Sequence, residues 1–120
     1  MKRTFVYVEN FDQKWKQQGL GAAEQRELEL QLLMDPSQGA VIAGTGGLRK
    51  MRFSPESDNQ GKSGAYRIIY LDIQASFHTI LLLIYAKNQQ ETLKPDQKKI
   101  LKQFVDQLKS LYTSERVDGK

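Results

Sequence analysis

The sequence contains no cysteine and only one histidine, His78. Disulfides, thiolate nucleophiles, iron–sulfur clusters and cysteine-based zinc sites are therefore excluded, and so is a metal site built from histidines alone. We expect no cofactor and no metal. The longest apolar run, Ile80 to Ala86, is far too short to span a bilayer, and the N-terminus lacks a signal-peptide pattern. We therefore expect a cytoplasmic protein that has no membrane partner.

Size and charge leave several classes of function open. The chain has 120 residues, of which 39% are hydrophobic and 27% are charged, as is usual for one globular domain. Its net charge is +4 and its isoelectric point is about 9.3. A moderate positive charge permits binding to nucleic acid, to an acidic protein, or to both, and it selects neither.

The residue pattern predicts the order strand, helix, helix, three strands, helix. The first three elements are a strand at Thr4–Val8, a helix ending at Gly19 and a helix over 21–34. The last four are strands at Leu48–Phe53, Ala65–Ile73 and Phe77–Tyr85 and a helix from Pro95. This order predicts an α+β fold in which the helices pack on one face of a four-stranded antiparallel sheet. Residues 1–112 should form the single domain, and 113–120, which lack periodicity, a frayed C-terminal tail.

The last predicted helix carries a wide apolar stripe. Its members recur at steps of one, three and four residues: Ile100, Leu101, Phe104, Val105, Leu108, Leu111 and Tyr112. We expect this stripe to close the core. The face of the sheet without helices would then be open, and an open sheet face is a common RNA-binding surface of small domains.

Cations on predicted strands are the strongest functional signal in the residues. Alternation along Leu48–Phe53 puts Lys50 and Arg52 on one face of the sheet and Arg49 on the other. Arg67, in the next strand, is close enough through a hairpin to join the first two. Three clustered cations repel one another, which favours a bound anion such as phosphate. The alternative is a solvated strand face whose cationic stems cover apolar surface and protect the sheet edge.

Weaker candidates lie at the ends of the strands. Lys62 belongs to the glycine-flanked segment 61–64, which reads as a plain loop unless Lys62 faces the other cations. Where the chain leaves the last strand, Tyr85 is placed to stack on a base or to join the core, and Lys87 and Asn88 to contact RNA. We interpret His78 as structural, not as a catalytic base.

Three segments in order, GTGGLRKMRF, GKSGAYRIIYL and LLLIYAKN, resemble the RelE/ParE superfamily of type II toxins, most closely its HigB-like branch. The resemblance implies a RelE-like fold and an mRNA interferase, a ribosome-dependent endoribonuclease that cuts mRNA in the ribosomal A site. It also implies a cognate helix-turn-helix antitoxin of the HigA type, through which the complex would bind operator DNA indirectly.

By this resemblance, Lys50, Arg52, Arg67 and Lys87 match the catalytic cations of RelE-like toxins. Our hypothesis is that Arg67 and Arg52 stabilise the phosphorane, which suits the planar guanidinium. Lys50 would accept the 2′-hydroxyl proton, and Lys87 would support the leaving oxygen. Two alternatives stay open: a ParE-like toxin that inhibits gyrase, and a small RNA- or ribosome-binding module without catalysis.

Overall fold

The computed structural model describes residues 2–56, 66–86, 89 and 93–118, with side chains described up to Thr113. Within this part, three α-helices flank one five-stranded sheet. The first elements are β1 Thr4–Tyr7, α1 Glu9–Gln17, α2 Ala22–Met34 and β2 Ala40–Val41. They are followed by β3 Arg49–Phe53, β4 Tyr66–Ile73, a 3-10 turn at Gln74–Ser76, β5 His78–Ala86 and α3 Pro95–Asp118. The α+β class and the predicted order of elements are confirmed.

The sheet has the strand order β1-β5-β4-β3-β2. Strands β2 to β5 form antiparallel pairs, whereas β1 runs parallel to β5, with Thr4 opposite His78 and Tyr7 opposite Leu81. The prediction of a wholly antiparallel four-stranded sheet is therefore wrong in two details. The two-residue strand β2 is too short to give an alternation pattern, and the direction of β1 depends on a partner more than 70 residues away in sequence, beyond any local pattern.

Helices α1 and α2 cover one side of the sheet, which we call the helix-pair face. Phe11 and Trp15 of α1 and Leu28 and Leu32 of α2 are buried there against apolar residues of β3, β4 and β5. The ring of Trp15 stacks between those of Phe11 and Phe53, at centroid distances of 5.7 and 5.8 Å. These four side chains form the inner faces of the two helices.

Helix α3 packs on the opposite side, which we call the α3 face. Val105 is fully buried there in a second core cluster with Leu48, Ile69, Leu71 and Ile80. The prediction that the helices share one face is therefore wrong. The reason lies in β4, where Ile68 and Tyr70 point to one face and Ile69 and Leu71 to the other, so that both faces need cover.

Only part of the apolar stripe on α3 closes this second core. Val105 is buried and Leu101, Leu108 and Tyr112 pack against the cluster, whereas Ile100, Phe104 and Leu111 are 66%, 39% and 54% exposed. The expectation that all seven residues would be core is corrected, because a single helix buries only one side of so wide a stripe. The helix also continues past Tyr112 to Asp118, where the sequence pattern predicts a frayed tail.

Candidate functional site: a basic patch on the α3 face

Strand β3 separates its cations between the two faces of the sheet, as the alternation predicts. Met51 and Phe53 are buried in the core of the helix-pair face, which places Arg49, two residues away, on that face. Lys50 and Arg52 therefore lie on the α3 face, and both are exposed. Their side chains are carried by a strand paired on both sides over part of its length, a more rigid support than a loop.

The register of β3 and β4 places Arg52 directly opposite Arg67. Side chains of directly opposite residues in an antiparallel pair begin roughly 4.5–5.5 Å apart at Cβ, so two guanidinium groups share one small surface. Lys50 lies two residues along β3, opposite Ile69 on the same face. We call Lys50, Arg52 and Arg67 the basic patch. The sequence-based prediction that Arg67 joins the two β3 cations on one face agrees with this register.

A β-bulge in β5 adds Tyr85 to the same face. The register shifts between Ile69, which pairs with Leu83, and Tyr70, which pairs with Leu81, so Leu82 is an extra residue. This residue reverses the alternation in the rest of β5 and turns Tyr85 to the α3 face, opposite Arg67. A row of Arg52, Arg67 and Tyr85 thus crosses three adjacent strands.

Tyr85 is mostly a core residue. Only 7% of it is exposed, and it packs in the cluster that contains Ile80 and Leu82. The sequence allows Tyr85 either to stack on a base or to join the core, and the structure supports its place in the core. The accessible remainder of Tyr85 faces a cavity of about 280 Å³ beside the end of β5.

This cavity is the feature that sequence reasoning missed. Besides Tyr85 and Ile84 it is lined by one cation and three carboxamides, which come from the C-terminal half of α1, from the residue that follows α1 and from the third residue after β5: Lys14, Gln17, Gln18 and Gln89. It forms because β1 pairs with β5 only as far as Leu81, which leaves the end of β5 next to α1. No sequence signal marks it, since it depends on how far two distant strands pair.

Acidic residues are scarce on the strands. Asp72 is the one carboxylate within the five strands that the structure describes, and it points to the helix-pair face, where it forms a buried ion pair with Arg3. The strand residues of the α3 face therefore contribute cations and no anion. Lysines of α3 add charge nearby: Lys109 Nζ donates to Gly46 O at 2.6 Å, and Lys98 approaches Gly44, both in the turn that leads into β3.

The backbone of β3 is held in place from the helix-pair face. Arg49 Nη1 donates to Gly39 O at 2.7 Å and to Ser37 O at 3.1 Å. The Tyr70 hydroxyl donates to Pro36 O at 2.7 Å and accepts from Gly39 N at 3.1 Å, and burial raises the pKa of Tyr70, which keeps the hydroxyl protonated and able to donate. These hydrogen bonds hold the segment before β2 against the helix-pair face of the sheet, on the opposite side from Lys50 and Arg52.

Three of the predicted site residues, Lys62, Lys87 and Asn88, lie outside the described residues. His78 lies at the other end of the β4–β5 pair, opposite Ile73, and its ring contacts Tyr112 with a centroid distance of 4.3 Å. Its Nδ1 is 2.9 Å from Ser76 Oγ. These contacts agree with the interpretation of His78 as structural.

In the part of the chain that the structure describes, no group of three or more histidine, aspartate or glutamate side chains is placed to hold a metal ion. Over the same residues, no helix is both long enough and apolar enough to cross a membrane. The basic patch itself offers guanidinium and ammonium groups, which bind and stabilise phosphate oxygens.

Comparison with known protein structures shows a similarity in fold. No protein-family model matches the sequence. The crystal structure of the isolated E. coli RelE toxin is similar, with a TM-score of 0.51 and 14% identity over 89% of this chain and 99% of that chain. A mutant of E. coli RelE in the free state, with two arginines replaced by alanine, has a TM-score of 0.50 and 15% identity over 73% and 86%. The chain therefore has the fold of the RelE toxin.

Proposed function

We propose that this chain is the toxin of a type II toxin–antitoxin system and an endoribonuclease that cleaves mRNA on the ribosome, in the cytoplasm. The observation that carries the proposal is the pairing of Arg52 with Arg67 across β3 and β4, with Lys50 on the same face. Like charges directly opposite each other destabilise a sheet, so this arrangement suits a bound anion. The RelE-like fold supports the choice of mRNA as that anion.

The proposed reaction is a transesterification within the RNA. The ribose 2′-oxygen attacks the adjacent phosphorus and forms a new P–O bond while the bond from phosphorus to the 5′-oxygen breaks. The products are a 2′,3′-cyclic phosphate and a new 5′-hydroxyl end. The 2′-hydroxyl proton must go to an acceptor, and the leaving oxygen must receive a proton.

The residues of the basic patch fit two of these needs. Arg67 and Arg52 are placed to share the extra negative charge of the pentacovalent phosphorane, which is the charge that preorganised donors stabilise most. Lys50, on the same face, is the proposed proton acceptor. Lys87, which we propose supports the leaving oxygen, lies outside the described residues.

An antitoxin is the proposed protein partner. The basic patch together with the exposed apolar side chains Ile100, Phe104 and Leu111 of α3 suits an acidic segment that folds on binding. We further propose that the toxin belongs to the HigB-like branch and that its partner is a HigA-like helix-turn-helix protein, which carries the complex to operator DNA. This finer assignment rests on the sequence resemblance.

The test is cleavage of a defined mRNA on translating ribosomes, with the new 5′ ends mapped. The unsubstituted protein should cut, and Arg67→Ala should lower the cleavage rate by about 10²–10³-fold, as expected for loss of a charged donor to the transition state. Arg52→Ala is the companion variant, because Arg52 is exposed and its removal leaves the core intact. Arg26→Ala, at an exposed arginine of α2, is the matched control and should cut normally.

Other outcomes separate the alternatives. Binding to ribosomes without any cleavage product would contradict the nuclease and support a binding module. Inhibition of gyrase-catalysed supercoiling without cleavage would support a ParE-like toxin. Cleavage by Arg67→Ala and Arg52→Ala at the normal rate would leave the nuclease in place and remove the basic patch as its site.

A further inference from the structure

The cavity at the end of β5 has the chemistry of a site for one flat, polar, aromatic group. Gln17 at the end of α1, Gln18 just after it and Gln89 beyond β5 bring three carboxamides to a space of about 280 Å³, with Tyr85 and Ile84 on the β5 side. Pockets that enclose drug-sized ligands have roughly 300–1,000 Å³, so this one suits a smaller group. Each carboxamide offers both a donor and an acceptor, the combination that reads the edges of nucleobases.

The orientation of one carboxamide is already set. Gln89 Oε1 accepts a hydrogen bond from Ala86 N at 3.1 Å, and Gln89 N donates to Ala86 O at 2.9 Å. With its oxygen engaged by the backbone, the side chain of Gln89 offers its NH₂ group as a donor. A fixed donor distinguishes between bases better than a freely rotating one, because a mismatched base leaves it unsatisfied.

Tyr85 links the cavity to the basic patch, because it lines the cavity and is the cross-strand partner of Arg67. The remaining lining residues lie on the helix-pair side or beyond β5, so the cavity lies at the edge of the sheet, where β1 no longer pairs with β5, and the basic patch lies on the α3 face. Neighbouring strands are about 4.8 Å apart, so Arg67 is about one strand spacing from Tyr85, and the RNA would pass around this edge to reach the cavity. Lys14 is a lining residue, and among the described residues no carboxylate lines the cavity.

We propose that this cavity binds one nucleobase of the RNA next to the phosphate held by the basic patch, and that Gln17, Gln18 and Gln89 read its edge. Tyr85 supplies an aromatic wall, and Lys14 contacts the backbone phosphate of the bound nucleotide. The cavity thereby sets the base preference at the cleavage position. The inference deepens the proposed function and rests on it for the identity of RNA as the polymer.

Binding of mononucleotides tests the cavity without any need for catalysis. ¹⁵N-labelled protein is titrated with each of the four ribonucleoside 5′-monophosphates and with ribose 5-phosphate, which lacks a base. We expect at least one nucleotide to shift the side-chain NH₂ signals of Gln17 and Gln18, and ribose 5-phosphate to leave them unchanged. Replacing both glutamines by alanine should weaken binding of that nucleotide by about tenfold.

The matched control is Gln13→Ala, an exposed glutamine of the same helix that does not line the cavity, and it should bind like the unsubstituted protein. The proposal is overturned if none of the four nucleotides shifts the glutamine signals, or if ribose 5-phosphate shifts them equally. It is also overturned if Gln13→Ala weakens binding as much as the double substitution does.

Cleavage mapping separates this proposal from the proposed function. If the protein cuts mRNA, the double variant Gln17→Ala, Gln18→Ala should flatten the distribution of bases next to the cut relative to Gln13→Ala. An unchanged distribution overturns the base-reading role while the nuclease stands. If the protein does not cut at all, the nuclease fails, and the nucleotide titration alone decides whether the cavity binds a base.

Discussion

The arginines at the two ends of β4 have different surroundings. At one end, Arg3 from the N-terminal segment forms an ion pair with Asp72, and each of these side chains is only 4% exposed. At the other end, Arg67 faces Arg52 across the strand pair, and Arg52 is exposed. The first arginine is paired with a buried carboxylate, whereas the second lies directly opposite another cation.

This difference shows that the charge of Arg3 is part of the buried structure. A buried cation is tolerated only with a partner, and Arg3 also donates to Thr79 Oγ1 at 3.2 Å. The pKa of Asp72 is nevertheless raised, because burial raises it more than the neighbouring Arg3 lowers it. Arg52 and Arg67 bring two like charges together at the other end of β4, an arrangement that the proposed RNA phosphate would stabilise.

The largest expected effect comes from breaking the Arg3–Asp72 pair. Arg3→Ala should lower the free energy of unfolding by about 3–5 kcal/mol, since it leaves a buried carboxylate without its partner. Urea denaturation measures the loss. Lys2→Ala, at the exposed neighbouring cation, is the control and should change stability by less than about 0.5 kcal/mol. Equal stability of the two variants would mean that the pair does not hold this end of the sheet.

A smaller loss of stability is expected at Gly39, in the segment that packs against β3 on the helix-pair face. A Cβ at Gly39 would lie 2.9 Å from the backbone oxygen of Lys50 and 3.1 Å from the Tyr70 ring. Gly39→Ala should therefore destabilise the fold by about 1–3 kcal/mol, as overpacking does. Thermal unfolding provides the measurement, with Ser37→Ala, at an exposed residue of the same segment, as the control. If Gly39→Ala unfolds at the same temperature as the control, β3 is not held by this close packing.

The smallest expected effect is an increase in the free energy of unfolding. Arg52→Gln should raise the free energy of unfolding by about 0.2–1 kcal/mol, because it removes a like charge directly opposite Arg67. Lys16→Gln is a matched exposed cation that has a carboxylate partner, Asp12, and it should instead lower stability by about 0.3–0.5 kcal/mol. Urea denaturation at low salt compares the two. A loss of stability in Arg52→Gln would show that Arg52 contributes to the fold and would weaken the contrast between the ends of β4.

Much of the fold follows from local pattern. Helix formers from Ala22 to Met34 and β-branched and aromatic residues in β4 and β5 identify their elements with boundaries close to those observed. The turn before β3 uses Gly44, Gly46 and Gly47 at positive φ, a conformation that glycine adopts more easily than other residues. The location of α3 was missed although consecutive apolar residues in β4 indicate that the strand is buried on both faces.

The candidate site was accessible from sequence only in part. Pairing of Lys50 with Arg52 on one face follows from alternation within one strand. The place of Tyr85 does not, because the bulge at Leu82 reverses the alternation and depends on packing between β4 and β5. Lys14 and Gln17 gave no signal as site residues, since their proximity to the end of β5 depends on where β1 stops.

Local sequence is enough to predict the three helices, the four longer strands and the side of β3 on which each of its cations lies, because helix propensity and the pleat of a strand act over a few residues. Which charges meet depends on the packing of the whole chain. The ion pair of Arg3 with Asp72 joins residues 69 apart in sequence, and the pairing of Arg52 with Arg67 depends on one register out of several. Register and long-range contacts are set by how the whole core packs, which no short stretch of sequence encodes.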